Sequence, residues 1–234
     1  MQTLKEEYKK CQCKDCINIS VPVSVLTDQE LDLLCISTTK VTFQRGEKII
    51  KQDSFCQNIV FIKSGIYKIH QTGPINRDEI LKVDKGPQFV GIPDAFAGKV
   101  HTYSVSALTE TIACMIDFQG FRDLIEKNGK FSTEILKTMS RTLIEHYGNC
   151  VNKIQKQLTA FLADSLLYFT DHIYERDEFE MPLTRKEWGE FIGTTRESVT
   201  KIVHALIESE IIEVNGRNIR VINKDLLQKI SNTG

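Results

Sequence analysis

Long apolar runs are absent from this sequence. The chain has 234 residues, and its longest uninterrupted apolar stretch is only a few residues. A membrane-spanning helix needs roughly 20 such residues in a row. Residues 1–10 also contain no apolar segment of the kind that directs secretion. We therefore expect a cytoplasmic protein with no membrane partner.

An excess of charge of either sign is also missing. The 30 Lys and Arg residues are balanced by 31 Asp and Glu residues, so the net charge is -1. This balance neither requires nor excludes a nucleic-acid partner, because binding depends on where the basic side chains lie. Apolar residues make up 41% of the chain and charged residues 26%, which excludes wholesale disorder. The length allows one large domain or two modest ones.

A disulfide framework is not expected either. The chain has seven cysteines, an odd number, and cytoplasmic thiols are mostly reduced. Three of them lie within six residues, namely Cys11, Cys13 and Cys16. The scattered residues Cys35, Cys56 and Cys150 are, by default, small apolar packing residues.

Short strands punctuated by glycine dominate residues 40–118. Apolar segments rich in Ile and Val alternate with turn signals such as Arg45-Gly46-Glu47 and Lys63-Ser64-Gly65. This pattern predicts an antiparallel β-roll or barrel rather than a parallel sheet. Ahead of it, Thr27 and Glu30 form a capping-box pattern that predicts a small helix over residues 27–35.

Beyond residue 118 the apolar residues recur every three or four positions, which is the spacing of a helix. We predict a short helix over residues 121–127 and then a longer one with an apolar stripe formed by Leu136, Met139, Leu143, Tyr147, Cys150 and Ile154. The stripe fits either a helix packed on its own domain or a coiled-coil-like dimer seam, with His146 near it. A further helix over residues 156–174 and a charged loop at 175–180 are predicted to follow.

Two capping patterns separated by a glycine come next. Thr184 with Glu187 forms the first, and Thr194 with Glu197 forms the second. Gly193, between them, is suited to a left-handed turn. Two capped helices joined by a tight glycine turn predict a helix-turn-helix.

The second of these helices has one apolar and one polar face. On a helical wheel the apolar face holds Val199, Ile202, Val203 and Leu206. Arg and Lys can donate to guanine, and Glu can accept from cytosine, so the predicted base-reading residues are Arg196, Glu197, Thr200 and Lys201. The predicted phosphate contacts are Thr184, Arg185, Thr195, Ser198 and Arg217.

A hairpin signal follows the two helices. Asn215-Gly216 separates two apolar segments, residues 211–214 and 217–222, and predicts a β-hairpin wing that carries Arg217 and Arg220. The capping patterns, turn and wing together predict a winged helix-turn-helix bound to double-stranded DNA. The alternative is an amphipathic helix pair with a solvated polar face.

Over essentially its whole length the chain resembles the Crp/Fnr family of bacterial transcription regulators. The glycine landmarks of residues 45–47, 63–65 and 90–91 are similar to those of the family's sensor domain, and residues 183–201 are similar to its helix-turn-helix signature. The resemblance implies an α+β fold with an N-terminal antiparallel β-roll (a jelly roll like the cyclic-nucleotide-binding domain), a long dimerisation helix and a C-terminal winged helix-turn-helix. It also implies a homodimer on a two-fold symmetric DNA site, with RNA polymerase as a further partner.

The expected domains follow from this resemblance. They are a Cys-rich segment at 1–22, a β-roll sensor domain at 23–128, a dimerisation helix at 129–155 and a DNA-binding domain at 156–234. Arg196, Glu197 and Lys201 match the family's base-reading positions. Lys201 stands where the family usually has Arg, and Lys lacks the bidentate fork. The dimer seam is expected at Leu136, Met139, Leu143, Tyr147 and Cys150.

Cyclic AMP is not the expected signal. Family members that bind cyclic nucleotides use a Gly-Glu pair and a downstream Arg-Ser or Arg-Thr. Here Ile92 follows Gly91, and no arginine lies between Arg77 and Arg122. Lys99 or His101 could stand in for the arginine, but neither offers two parallel donors.

The cysteines indicate a different chemistry. The segment around Cys114 is similar to the strand that supplies an internal cysteine ligand in the oxygen-sensing Fnr branch, and residues 13–16 are similar to part of that branch's N-terminal cluster. This implies a [4Fe–4S] cluster on Cys11, Cys13, Cys16 and Cys114. The pattern departs from that branch, because a third cysteine near Ser20 is absent and Cys11 lies only two residues before Cys13. A zinc site, a thiol redox switch and an unrelated effector stay open.

Two other classes of function are alternatives to DNA binding. A cupin-type metalloenzyme needs clustered histidines and carboxylates, whereas the five histidines here are scattered. A protein-interaction module with a cyclic-nucleotide-binding-type β-roll would use the helix-turn-helix as a docking surface. We expect a DNA-binding regulator that is not an enzyme.

Overall fold

The computed structural model describes residues 20–232. These residues form two compact units, the first made of residues 20–71 and 83–144 and the second of residues 145–232 with segment 72–82. Within residues 20–232, no helix combines the length and the apolar character needed to cross a bilayer.

Two helices open the first unit. The short α1 (Val21–Ser24) was not predicted, and α2 (Asp28–Ile36) was. The capping box of α2 is confirmed, because the Thr27 hydroxyl accepts from the Glu30 N–H at 3.3 Å and the Thr27 N–H donates to the Glu30 carboxylate at 2.8 Å. Leu31 and Leu34 then turn one face of α2 into the core.

Eight strands build the β-roll. They are β1 (Thr38–Phe43), β2 (Lys48–Ile50), β3 (Asn58–Ser64), β4 (Ile66–Thr72), β5 (Asp78–Lys85), β6 (Gln88–Val90), β7 (Ser104–Ala107) and β8 (Thr111–Asp117). They form two four-stranded sheets, ordered β1-β8-β3-β6 and β2-β7-β4-β5. The pairs β1–β8, β3–β8, β3–β6, β2–β7 and β4–β7 are antiparallel, so the predicted β-roll is confirmed.

The core of this unit lies on both sides of β3. Ile59, Val60, Phe61 and Ile62 are all at most 3% exposed. Since successive side chains of a strand point to opposite faces, this strand is covered on both. On one side its residues join an aromatic cluster with α2 and α4 (Phe118–Lys127), and on the other they join residues of β4 and β7.

The long helix α5 (Gly129–Gln155) follows α4, and α3 (Ile92–Ala97) lies between β6 and β7. The first turns of α5 bury Phe131 and Ile135 in the aromatic cluster. Met139 is half-buried against the same cluster, and from Ser140 to Val151 every residue is exposed. The helix therefore stops contributing to the core of its own unit after two to three turns.

The second unit contains the remaining elements. They are α6 (Leu158–Tyr168), a π-helical turn (Phe169–Tyr174), β9 (Glu178–Glu180), α7 (Arg185–Ile192), α8 (Arg196–Glu208), β10 (Ile212–Asn215), β11 (Asn218–Val221) and α9 (Lys224–Asn232). The three strands form one sheet ordered β10-β11-β9. Trp188, at 0% exposure, lies at the centre, and its indole N–H donates to the Ser165 hydroxyl of α6 at 2.8 Å.

The prediction of a charged loop over residues 175–180 is wrong for its last three residues. Residues 178–180 pair with β11 instead, and Phe179 is 1% exposed. Two glutamates in three residues carry little strand signal by themselves. The pairing arises because β11 offers a free edge and the core accepts one phenyl ring.

Candidate nucleic-acid interface

The helix-turn-helix is built as the first capping pattern predicts. At the start of α7 the Thr184 hydroxyl accepts from the Glu187 N–H at 3.2 Å, and the Thr184 N–H donates to the Glu187 carboxylate at 2.8 Å. Gly193 ends α7 with φ 76, the left-handed conformation that favours glycine. A Cβ on Gly189 would lie 2.7 Å from the Thr194 carbonyl oxygen, so a glycine there lets the turn approach α7 closely.

The second capping box, Thr194 with Glu197, is wrong by one residue. The cap of α8 is Thr195, whose hydroxyl accepts from the Ser198 N–H at 3.2 Å. Two threonines in succession can both serve as a cap. The close approach of Gly189 to Thr194 holds Thr194 inside the turn, which leaves Thr195 to begin the helix.

Helix α8 presents its polar face outward, as the wheel predicts. Val199, Val203 and Leu206 are at most 3% exposed and anchor the helix on the core. Three predicted base-reading residues are exposed together along its first two turns: Arg196, Glu197 and Lys201. The fourth, Thr200, is half-buried, and its hydroxyl donates to the Arg196 carbonyl at 2.9 Å.

The predicted phosphate contacts differ in their surroundings. Thr184 and Thr195 cap the N-termini of α7 and α8, where unpaired N–H groups and the helix dipole favour an anion. Ser198 is half-buried and lies within 3.2 Å of the Thr195 hydroxyl. The Arg185 guanidinium lies 5.2 Å from the centre of the Trp188 ring. Burial lowers the pKa of Arg185 from its ordinary value, but an arginine remains charged at neutral pH.

The wing forms with its loop one residue later than predicted. Asn215 pairs with Asn218, so Gly216, at φ 62, and Arg217 make the two-residue turn. The Arg217 guanidinium donates to the carbonyls of Met181 and Pro182 at 2.7 and 3.1 Å. In this structure Arg217 therefore ties the wing to the segment before α7, and its contact with phosphate stays a prediction.

The apolar stripe of α5 is uncovered within a single chain. Leu136 is 65% exposed, Leu143 49%, Tyr147 60% and Ile154 84%. Ile144 and Val151, at 69% and 50%, widen the stripe and were not singled out from the sequence. Met139 differs, because it packs against the core of the first unit. An apolar helix face of this size is suited to packing against a second helix.

The predicted metal ligands are divided between the described and undescribed residues. Cys114 is 3% exposed in β8, in the same core cluster as Val23 and Leu26 of the N-terminal helical segment. Cys11, Cys13 and Cys16 lie outside the described residues. Among residues 20–232, no group of three or more His, Cys, Asp or Glu side chains is arranged to hold a metal ion.

A buried carboxylate, which the sequence reasoning missed, lies in the first turn of α3. Asp94 is 7% exposed and accepts hydrogen bonds from the Thr102 N–H and hydroxyl at 3.1 and 2.8 Å. Its carboxylate also lies 3.5 Å from the His101 ring nitrogen Nδ1. Burial, reinforced by the negative charge of Asp94, raises the pKa of Tyr103 to about 12. A negative charge here opposes the binding of an anion such as a phosphate.

Two family models match the chain. The model of the Crp-like helix-turn-helix domain matches residues 162–230, and that of the cyclic nucleotide-binding domain matches residues 40–128. The first match contains α7, α8 and the wing, and the second contains all eight strands of the β-roll except the first two residues of β1.

Relatives and solved structures agree with these matches. The fumarate and nitrate reduction regulatory protein of Vibrio cholerae serotype O1 is 25% identical over 226 residues, which cover 94% of this chain and 90% of that protein. Its counterpart in Escherichia coli K12 is 24% identical with the same coverage. The structure of FixK2 from Bradyrhizobium japonicum superposes with a TM-score of 0.76 at 16% identity, covering 84% of this chain and 98% of that chain. A Crp/Fnr-family regulator from Thermus thermophilus gives 0.70 at 17% identity, covering 83% and 98%.

Proposed function

The chain belongs to the Crp/Fnr family of transcription regulators, and from that premise we propose that it binds DNA as a two-fold symmetric dimer in which each α8 helix reads one half-site. The observation that carries this proposal is the outward row of Arg196, Glu197 and Lys201 on a helix whose opposite face buries Val199, Val203 and Leu206. Such a helix fits the major groove, and its base-edge chemistry is that of guanine and cytosine recognition.

The seam on α5 would set the distance between the two reading helices. Two half-sites on one face of DNA lie one helical turn, about 34 Å, apart. A signal that changes how the α5 helices pack would change whether both α8 helices reach their half-sites together. We propose this coupling as the way the sensor unit controls DNA binding.

Arg196→Ala tests base reading by α8. We expect this change to cost about 1–3 kcal/mol at one base pair of each half-site and to relax the preference for that base pair. The reason is that Arg196 can donate two hydrogen bonds to one guanine edge. The measurement is affinity for a preferred duplex and for duplexes altered at single positions.

Arg176→Ala is the matched control for that test. Arg176 is an exposed arginine of the same unit, outside α7, α8 and the wing, and lies 5.6 Å from the Tyr174 ring centre. Its removal should leave both affinity and sequence preference unchanged. A uniform loss of affinity on every duplex with Arg196→Ala would contradict base reading and would assign Arg196 to the DNA backbone.

For the signal, we propose a cysteine centre that joins Cys114 to the N-terminal cysteines. What supports it is that α1 and α2 pack on the core cluster that contains Cys114, so the chain leaves Ser20 beside that cluster. Four residues of chain, the separation of Cys16 from Ser20, reach at most about 14 Å. Relatives named as fumarate and nitrate reduction regulators also support a metal or redox centre over a cyclic nucleotide. The buried Asp94 carboxylate likewise disfavours the phosphate of cyclic AMP.

The chemistry of that centre separates the choices left open by the sequence. Protein purified without oxygen should contain iron and acid-labile sulfide if the cysteines hold a [4Fe–4S] cluster, and Cys114→Ala should remove both. Zinc without sulfide would identify a zinc site instead. A metal-free protein whose DNA binding is unchanged by Cys114→Ala, and by oxidants, would contradict a cysteine centre and send the search to small ligands.

Family membership supports three further proposals. The relatives named above are regulators, and we propose that this chain likewise has no catalytic activity. We propose that it acts in the cytoplasm, where DNA is accessible, and that it contacts RNA polymerase when bound there.

A further inference from the structure

A thiol and an imidazole face each other on the exposed part of α5. His146 and Cys150 lie four residues apart, and both are exposed. The Cys150 Sγ atom lies 3.5 Å from the His146 Nε2 atom. Since residues four apart on a helix lie one above the other, one metal ion can bind both side chains.

The separation of these two atoms fits tetrahedral zinc. Zinc binds thiolate sulfur at about 2.3 Å and imidazole nitrogen at about 2.0–2.1 Å. At the tetrahedral angle those two bond lengths place sulfur and nitrogen about 3.5–3.6 Å apart. The 3.5 Å observed between Sγ and Nε2 therefore needs almost no adjustment for an ion to bind both.

One chain supplies only half of a zinc site. A closed site has four ligands, and among the described residues no third His, Cys, Asp or Glu joins this pair. The missing ligands must come from elsewhere. The position of His146 and Cys150 on α5 indicates that a second copy of the chain supplies them.

Cys150 continues the apolar stripe of α5. Leu136, Leu143 and Cys150 recur every seven residues, which is the repeat of a coiled-coil seam. In a parallel two-fold pair of helices, residues at one heptad position face their own equivalents. Two copies of α5 packed on this stripe would therefore bring together two thiols and two imidazoles.

We propose that the dimer binds one zinc ion at this seam through His146 and Cys150 of both copies. Two cysteines and two histidines form a common structural zinc site. Each thiol gives up its proton as the thiolate binds the metal. The site rests on the dimer of the proposed function, is separate from the N-terminal cysteines, and strengthens the dimer because zinc binds only when both copies are present.

The test compares zinc binding by the intact chain and by variants of this pair. Cys150→Ser and His146→Ala should each bind half a zinc ion less per chain than the intact protein, measured by metal analysis after dialysis. Zinc bound to the N-terminal cysteines is the same in the variants and in the intact protein, so it cancels when their zinc contents are subtracted. Zinc should also strengthen the dimer of the intact protein at least tenfold, measured by sedimentation, and leave the dimers of both variants unchanged.

Two further variants give matched controls. Cys35→Ala removes a thiol of the sensor core and should leave seam zinc unchanged. Cys150→His keeps a metal ligand at this position, so this variant should still bind half a zinc ion per chain at the seam. With Co²⁺ as the probe, this variant should lose the thiolate-to-metal absorption that the intact protein gains at the seam.

The possible outcomes test the zinc site and the dimer independently. A dimer whose zinc content is the same with and without Cys150 would overturn the seam site and leave the proposed function standing. A chain that remains monomeric with or without zinc, and on DNA, would overturn both. A full zinc ion per chain lost with Cys150→Ser would overturn sharing between copies.

Discussion

Leu143→Glu is expected to separate the dimer into monomers and to weaken binding to a two-fold DNA site by more than about 100-fold, or about 3 kcal/mol. Leu143 is 49% exposed on α5 and belongs to neither core cluster of the first unit. The substitution of Leu143 therefore costs the folded monomer little stability. In a dimer the same position lies within an apolar seam, where an unpaired carboxylate costs several kcal/mol.

Loss of the dimer weakens DNA binding because each half-site contributes separately to the affinity. A monomer keeps the contacts of one α8 helix and loses those of the other. The measurements are sedimentation of the free protein and affinity for the two-fold duplex. Heat denaturation of the variant should stay close to that of the parent protein.

Asn149→Glu is the matched control, because it adds the same charge to the same helix. Asn149 is exposed and lies six residues from Leu143, about 120° away around the helix axis. This variant should remain dimeric and bind DNA normally. A Leu143→Glu protein that is still a dimer would contradict the position of the seam on this face of α5.

Trp188→Ala is expected to destabilise the second unit by about 3–5 kcal/mol. Trp188 is 0% exposed, so its removal leaves a large cavity, and the Ser165 hydroxyl loses the indole N–H that donates to it. Arg185 loses the ring that its guanidinium contacts. For a unit of this size the melting temperature should fall by more than about 10 °C. Trp188 belongs to α7 of the helix-turn-helix, so DNA binding should fail at lower temperature too.

Two further variants define what the indole does. Trp188→Phe keeps most of the apolar volume and removes the hydrogen bond, so it should cost far less than the alanine variant. Glu208→Ala changes an exposed side chain at the end of α8 and should be close to neutral. Calorimetry of the intact protein distinguishes the unfolding transition of the second unit from that of the first. A loss below about 1 kcal/mol in Trp188→Ala would contradict the central position of Trp188 in the core.

The elements that sequence predicts well are those with strong local patterns. The strands of the β-roll follow from apolar segments bounded by glycine turns, and the faces of α8 follow from a helical wheel. The cap at Thr184 follows from a four-residue pattern. In each case neighbours in sequence decide the structure, so one chain is enough to predict it.

The elements that sequence misses depend on residues far apart in the chain. Strand β9 exists because β11 offers an edge, and the cap moves from Thr194 to Thr195 because Gly189 approaches the turn closely. The guanidinium of Arg217 binds carbonyls more than thirty residues away. The buried Asp94 pairs with Thr102 across a loop. None of these contacts leaves a periodic trace in the sequence.

The central claim is that two copies of this chain read inverted half-sites with α8. The most direct test is to select preferred duplexes from random DNA with the intact protein and to measure how many chains bind each one. We predict two chains on each duplex and two inverted half-sites whose centres lie about 10 base pairs apart. Selection of a single unrepeated site bound by one chain, or no sequence preference at all, would contradict the claim.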